Sequence, residues 1–112
     1  MVNYPKYTLN KSINNQFYWN LFSVNKEVLL TSETMYNRQD VLDGIASSKR
    51  NLADSNFERK ASLFNQPYFV QVASGNYKVL GKSEMYSSVQ ARENGIAAVK
   101  RDAPYAGIED LT

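Results

Sequence analysis

Gly44-Ile45-Ala46-Ser47-Ser48-Lys49-Arg50 returns 51 residues later as Gly95-Ile96-Ala97-Ala98-Val99-Lys100-Arg101. Followed backwards at the same offset, the match reaches Asn14/Asn65 without a gap and includes Ser23/Ser74, Asn25/Asn76, Val28/Val79, Leu29/Leu80, Ser32/Ser83, Glu33/Glu84 and Gln39/Gln90. Thirteen identities in 37 positions, with the apolar positions in phase, identify a tandem duplication. Such a repeat governs how every local pattern is to be interpreted.

Within the first copy Phe17, Trp19 and Leu21 alternate with Tyr18 and Asn20, and the offset places Tyr68, Val70 and Val72 at the equivalent positions. A period of two predicts a strand with one buried face, which leaves Tyr18, Phe22 and Phe69 on the other face. Ser23-Val24-Asn25-Lys26 and Ser74-Gly75-Asn76 tolerate left-handed turn conformations, so they lead into third strands at 27–32 and 78–83. First strands are expected at 7–11 and about 57–63. From Asn37 and Ser87 the period becomes helical, with Val41, Leu42, Ile45 and Leu52 on one stripe and Val89, Ile96, Val99 and Ala103 on the other. Ser88 suits an N-cap, and Pro104 cannot continue the second helix.

A β-β-β-α unit of about 50 residues is too small to be stable alone, so the two copies must share a core. The expected fold is therefore α+β: a two-layer domain of antiparallel strands and two helices, pseudo-twofold symmetric and built from a tandem β-β-β-α repeat. One domain should span 1–112, with repeat one at about 4–51, repeat two at about 55–103 and an irregular C-terminal tail at 104–112. The chain is expected to be a monomer acting as an internal pseudo-dimer.

Composition limits the chemistry. Hydrophobic residues at 43% and aromatics at 12% suit a packed interior. No apolar run approaches the roughly 18 residues of a membrane span, and residues 1–6 lack the basic and apolar regions of a secretion signal. No membrane partner and a cytoplasmic location follow as expectations. The chain has neither cysteine nor histidine. Disulfides, thiolate nucleophiles, cysteine-containing zinc sites, Ser-His and Cys-His pairs and an imidazole base are thereby excluded. The glycines form no phosphate-binding loop and the acidic residues no calcium loop. No catalytic residue, cofactor or metal is expected, and the chain reads as a non-enzyme. Its net charge of +2, from 13 basic and 11 acidic residues, is far below that of a dedicated nucleic-acid binder.

Four groups of residues remain as candidates. Ser32-Glu33 and Ser83-Glu84 stand at strand-to-helix junctions near Met35-Tyr36 and Met85-Tyr86, where they either satisfy backbone donors at the helix start or present polar groups to a partner. Lys49, Arg50, Lys100 and Arg101 lie in last helical turns, where they complement the helix dipole or, joined by Lys78, Lys82 and Arg92, meet phosphate. Gly44 and Gly95 each cost about 1 kcal/mol against Ala inside a helix, which either close packing or an approaching ligand would offset. Tyr18, Phe22 and Phe69 form an exposed apolar patch unless the second copy covers their face. The leading expectation is a non-enzymatic interaction module that binds a protein partner through the junctions (Ser32, Glu33, Ser83, Glu84, Tyr86) or the sheet face. The alternative is a nucleic-acid-binding domain that uses the repeated basic helix ends.

The run Val79-Leu80-Gly81-Lys82-Ser83-Glu84-Met85-Tyr86-Ser87-Ser88, followed by Ala91, Glu93-Asn94-Gly95-Ile96 and Val99-Lys100, resembles the YegP-like family of small bacterial proteins. In the first copy Ser32-Glu33 and Gly44-Ile45 fit, whereas Met35-Tyr36-Asn37-Arg38 departs from the family's Tyr-Ser-Ser pattern. The closing Ile108-Glu109-Asp110-Leu111-Thr112 is similar to a tail that members often carry. The resemblance implies the same duplicated β-β-β-α fold, with single-repeat relatives that pair as dimers, and it brings no catalytic or binding residues with it.

Overall fold

A computed structural model describes residues 2–112, so Met1 of the expected domain lies outside the described residues. The order of elements is β1 (Lys6–Lys11), β2 (Phe17–Phe22), β3 (Val28–Thr31), α1 (Arg38–Arg50), β4 (Phe57–Ala61), β5 (Pro67–Val72), β6 (Val79–Lys82), α2 (Val89–Asp102) and β7 (Gly107–Asp110). This is β-β-β-α twice, followed by one further strand. The seven strands form one sheet in the order β4-β5-β6-β3-β2-β1-β7. The two repeats meet in antiparallel fashion at β3 and β6, where Thr31 faces Lys82, and the duplicated α+β architecture is the expected one.

The tail departs from expectation. Pro104 ends α2 in a single tight turn, Ala103–Tyr105, after which the chain does not remain irregular. It runs parallel to β1, with Lys6 opposite Gly107 and Leu9 opposite Asp110, so the sheet is mixed rather than wholly antiparallel. An uncovered β1 would expose a row of unpaired backbone groups, and β7 covers it. Lys6 Nζ donates to Glu109 Oε1 at 2.6 Å across the pair, and Arg38 in α1 forms an ion pair with Asp110.

The constant 51-residue offset also fails in one place. Ser23 N–H donates to Glu27 O in the first copy, and Ala73 N–H donates to Lys78 O in the second, so the second turn is one residue longer. Upstream of that turn the true offset is 50. Trp19 therefore corresponds to Phe69 and Tyr18 to Tyr68. A one-residue slip moves every side chain of a strand to the opposite face. Phe69, expected on the open face beside Tyr18 and Phe22, is fully buried in the core.

Both helices lie on one face of the sheet. Trp19, Leu21, Leu30, Phe69 and Ile45 form its interior with Tyr7, Leu9, Val41, Ile96 and Val99. Irregularities in the β2–β3 and β5–β6 pairings let both Leu29 and Leu30 turn inward, and Leu80 with Gly81 likewise. Asn37 caps α1 by accepting from Asp40 N–H at 2.9 Å, and Ser88 caps α2 by accepting from Ala91 N–H at 3.0 Å. Val89, expected on the buried stripe, is exposed because it is the first residue of α2. No helix among the described residues is long and apolar enough to cross a membrane.

Candidate functional site

Ser32 and Ser83 act on the sheet rather than on the helices that follow them. Ser32 Oγ accepts from Trp19 N–H and donates to Glu33 O, both at 2.9 Å, while Ser83 Oγ accepts from Phe69 N–H at 2.9 Å and donates to Glu84 O at 2.8 Å. Each hydroxyl satisfies a central-strand donor at the point where the third strand turns away. The two serines are buried, and Glu33 and Glu84 stay in solvent.

The paired glycines let large side chains rise from the sheet to touch the helices. A Cβ at Gly44 would lie 2.9 Å from Trp19 Nε1, and one at Gly95 would lie 2.8 Å from Tyr86 Cζ, nearer still to the Tyr86 hydroxyl, and 3.2 Å from Phe69. Close packing thus accounts for both glycines. Tyr86 stacks on Phe69 with ring centroids 6.2 Å apart, and burial, with help from Glu84 and Glu27, pushes its phenol up to about 12. Trp19 Nε1 is buried and has no hydrogen-bond partner among the described residues.

The basic helix ends are largely engaged within the chain. Lys49 Nζ donates to Ala106 O, Lys100 Nζ to Asp54 Oδ1 at 2.9 Å, and Arg101 grips both oxygens of Asp102 at 2.7 and 2.9 Å. Arg59 joins Lys100 on Asp54, and hydrogen bonds from these two cations, Arg59 first, hold that carboxyl down at about 2. Arg50 alone of the four is exposed and in no ion pair among the described residues.

The sheet face away from the helices carries no helix, although Lys6, Thr8 and Val70 on it are buried by their neighbours. Register places Tyr18, Asn20 and Phe22 of β2, Lys6, Thr8 and Asn10 of β1, Thr31 of β3, Lys82 of β6, Tyr68 and Val70 of β5 and Glu58 and Lys60 of β4 on it. Tyr18, Phe22 and Tyr68 are half-buried. A polar line crosses the face: Asn10 Nδ2 donates to Thr8 Oγ1 at 3.1 Å and Asn20 Oδ1 at 3.0 Å, and Asn20 Nδ2 donates to Thr31 Oγ1 at 2.8 Å. Ammonium groups sit over the rings on either side. Lys82 lies 4.9 Å from the Tyr68 centroid, while Lys6 and Lys26 lie 4.4 and 5.6 Å from that of Tyr4, which meets Phe22 edge-on. Sequence reasoning missed Tyr68 and Lys82 as members of this face. The signal was present at the 50-residue offset, where Ser12, Asn15, Gln16 and Tyr18 match Ser62, Asn65, Gln66 and Tyr68.

On the helix side, two equivalent grooves lie between the helix of one repeat and the turn of the other. The first, of about 460 Å³, runs from α1 to the β5–β6 turn and is lined by Glu33, Met35, Asp40, Asp43, Gly44 and Lys78 among others. Its counterpart, of about 360 Å³, runs from α2 to the β2–β3 turn past Glu27, Tyr86, Asn94, Gly95 and Arg101. Among the described residues no three carboxylates gather in a way that could hold a metal ion.

A duplicated three-strand-and-helix unit with its halves joined at β3 and β6 defines a class. The chain belongs to the family described as "Domain of unknown function (DUF1508)", which it matches twice, at residues 12–58 and 65–110. It is 40% identical over 107 residues to a UPF0339 protein of Bordetella pertussis, a match covering 95% of this chain and 96% of that one. It is 33% identical over 106 residues to UPF0339 protein YegP of Escherichia coli, with coverages of 95% and 96%. Two solution NMR structures share the fold. The UPF0339 protein SO3888 of Shewanella oneidensis superposes with a TM-score of 0.89 at 37% identity, over 96% of this chain and 91% of that one. The Escherichia coli protein of unknown function yegP gives 0.90 at 34%, over 100% and 97%.

Proposed function

We propose that the protein is a non-enzymatic, cytoplasmic interaction module that presents its helix-free sheet face to an acidic protein surface. One observation carries this reading: both helices occupy the same side of the sheet, so half-buried Tyr18, Phe22 and Tyr68 are left in the open among lysines. Lys26 and Lys82, in no ion pair among the described residues, stand there beyond the buried Lys6–Glu109 pair and the Lys60–Glu58 pair, a basic excess that complements acidic side chains. Aromatic residues flanked by charge are the usual anchors of a protein interface. Cysteine-free composition and the lack of histidine favour the cytoplasmic and non-enzymatic parts.

The same face could stack nucleic-acid bases, but lysines already cap the Tyr68 and Tyr4 rings. The test is an NMR titration of labelled protein with a synthetic peptide alternating Glu and Phe, beside fluorescence anisotropy of labelled single-stranded DNA and RNA. Peptide-induced shifts centred on Tyr18, Phe22 and Tyr68, abolished in Tyr18→Ala/Tyr68→Ala, are expected. Oligonucleotide binding that weakens steeply with salt would instead hand the face to nucleic acid.

A further inference from the structure

We infer that the groove between α1 and the β5–β6 turn binds a basic residue of a peptide, its cation held by Asp40, Asp43 and Glu33 and a neighbouring carbonyl held by Trp19 Nε1. This site lies on the opposite side of the sheet from the face discussed above and does not depend on it. Six of the eleven carboxylates form ion pairs within the described residues, and three of the five that do not line this groove. Among the described residues Asp43 accepts only from Gln39 Nε2 at 2.9 Å. A place in the first turn of α1 accounts for Asp40 through the helix dipole, but not for Asp43 or Glu33. Lys78 is the single cation on the lining, leaving an excess of negative charge.

The floor supplies a second, independent observation. Trp19 is fully buried, and its indole N–H has no acceptor among the described residues. Its Nε1 lies 2.9 Å from the point where a Cβ on Gly44 would stand, and Gly44 lines the groove. A buried donor left unpaired forgoes a hydrogen bond that water would have supplied, so an acceptor reaching over Gly44 gains what the fold forgoes. Met35, whose Cε lies 3.7 Å from the same point, is the flexible side chain that an incoming acceptor has to displace.

The duplication supplies an internal contrast. Ala91 and Asn94 replace Asp40 and Asp43 in the other groove, and Tyr86 replaces Met35 with its hydroxyl set against Gly95. Only one of these two backbone-equivalent grooves is strongly acidic, and among the described residues only that one has an unpaired buried donor beneath it.

Trp19 is the only tryptophan, so a single indole N–H resonance reports on this floor. Titration with N-acetyl-arginine amide and its lysine counterpart should move that resonance saturably at millimolar concentration, while the neutral citrulline analogue leaves it in place. Asp40→Asn/Asp43→Asn, at exposed positions that spare the core, should weaken binding about tenfold or more, and Lys78→Ala should strengthen it several-fold. An indole resonance that stays still with both basic probes, or a shift unchanged in the double variant, overturns the inference. Neither result depends on Tyr18 or Tyr68, so the two sites fail separately.

Discussion

The Tyr7 phenol and the Ser48 hydroxyl lie 2.8 Å apart inside the core, and Ser48 Oγ also donates to Gln71 Oε1 at 2.7 Å. Gln71 Nε2 then donates to the carbonyls of Ser48 and Asn51 at the C-terminal end of α1. All three side chains are fully buried, and β1, α1 and β5 are tied together across the repeat boundary. The equivalent positions, Phe57, Val99 and Leu21, are apolar, so one half of the pseudo-dimer has a satisfied polar network where the other has hydrocarbon. Ser48→Val strands two buried partners and should cost about 1–3 kcal/mol. Converting Tyr7, Ser48 and Gln71 together to Phe, Val and Leu should cost less than the three single changes summed, with a coupling of roughly 0.5–3 kcal/mol. Urea unfolding of the set measures this, and strict additivity would contradict the network.

Gly95→Ala offers a second test. Helix propensity alone favours alanine by about 1 kcal/mol. The new methyl group would meet Tyr86 and Phe69, and overpacking a core costs about 1–3 kcal/mol. Net destabilisation is expected, reversed when Tyr86→Met puts the first repeat's side chain above it. A Gly95→Ala protein that unfolds at higher urea than the parent would show that the contact yields freely.

How much of this was legible in the sequence turns on one inserted residue. The repeat, the helices, the cap at Ser88 and most strands were readable because apolar periodicity and turn chemistry are local signals. The offset of 51 was read as constant since its identities cluster downstream of the second turn. The shift to 50 upstream reversed the face assigned to Phe69 and hid Tyr68. The strand at β7 was invisible for a different reason. Four residues with no strong alternation become a strand only because β1 offers an edge, and an edge is a tertiary fact. The grooves were likewise out of reach, since each joins a helix to the turn of the other repeat.

Tyr77 sits in the lengthened turn with φ of 56°, a left-handed conformation that a bulky side chain adopts at a cost of roughly 1–2 kcal/mol. Its ring is mostly exposed, so little packing is lost with it. Tyr77→Gly should raise stability by about 1 kcal/mol and Tyr77→Val should lower it. Thermal unfolding of both variants decides the matter. Equal midpoints for Gly, Tyr and Val would mean that the turn relaxes around whatever stands there.

Alkaline pH should weaken the fold in a defined window. The Tyr7 and Tyr86 phenols are both pushed from 10.0 up to about 12, burial being the main cause in each. Between those values the unfolded chain has released protons that the folded chain still holds, so stability falls as pH rises; below 10 the contribution is fully present. Lys6 adds to the trend with the same sign, because its hydrogen bond to Glu109 raises its ammonium above the ordinary 10.5. Each of the two phenols changes stability by at most about 1.4 kcal/mol per pH unit inside the window. Urea midpoints recorded from pH 9 upward should therefore hold steady at first and then drop. Tyr7→Phe removes one of these protons and should flatten the decline, even though the variant starts less stable. Parallel curves for parent and variant would mean that the Tyr7 phenol ionises as easily in the fold as outside it.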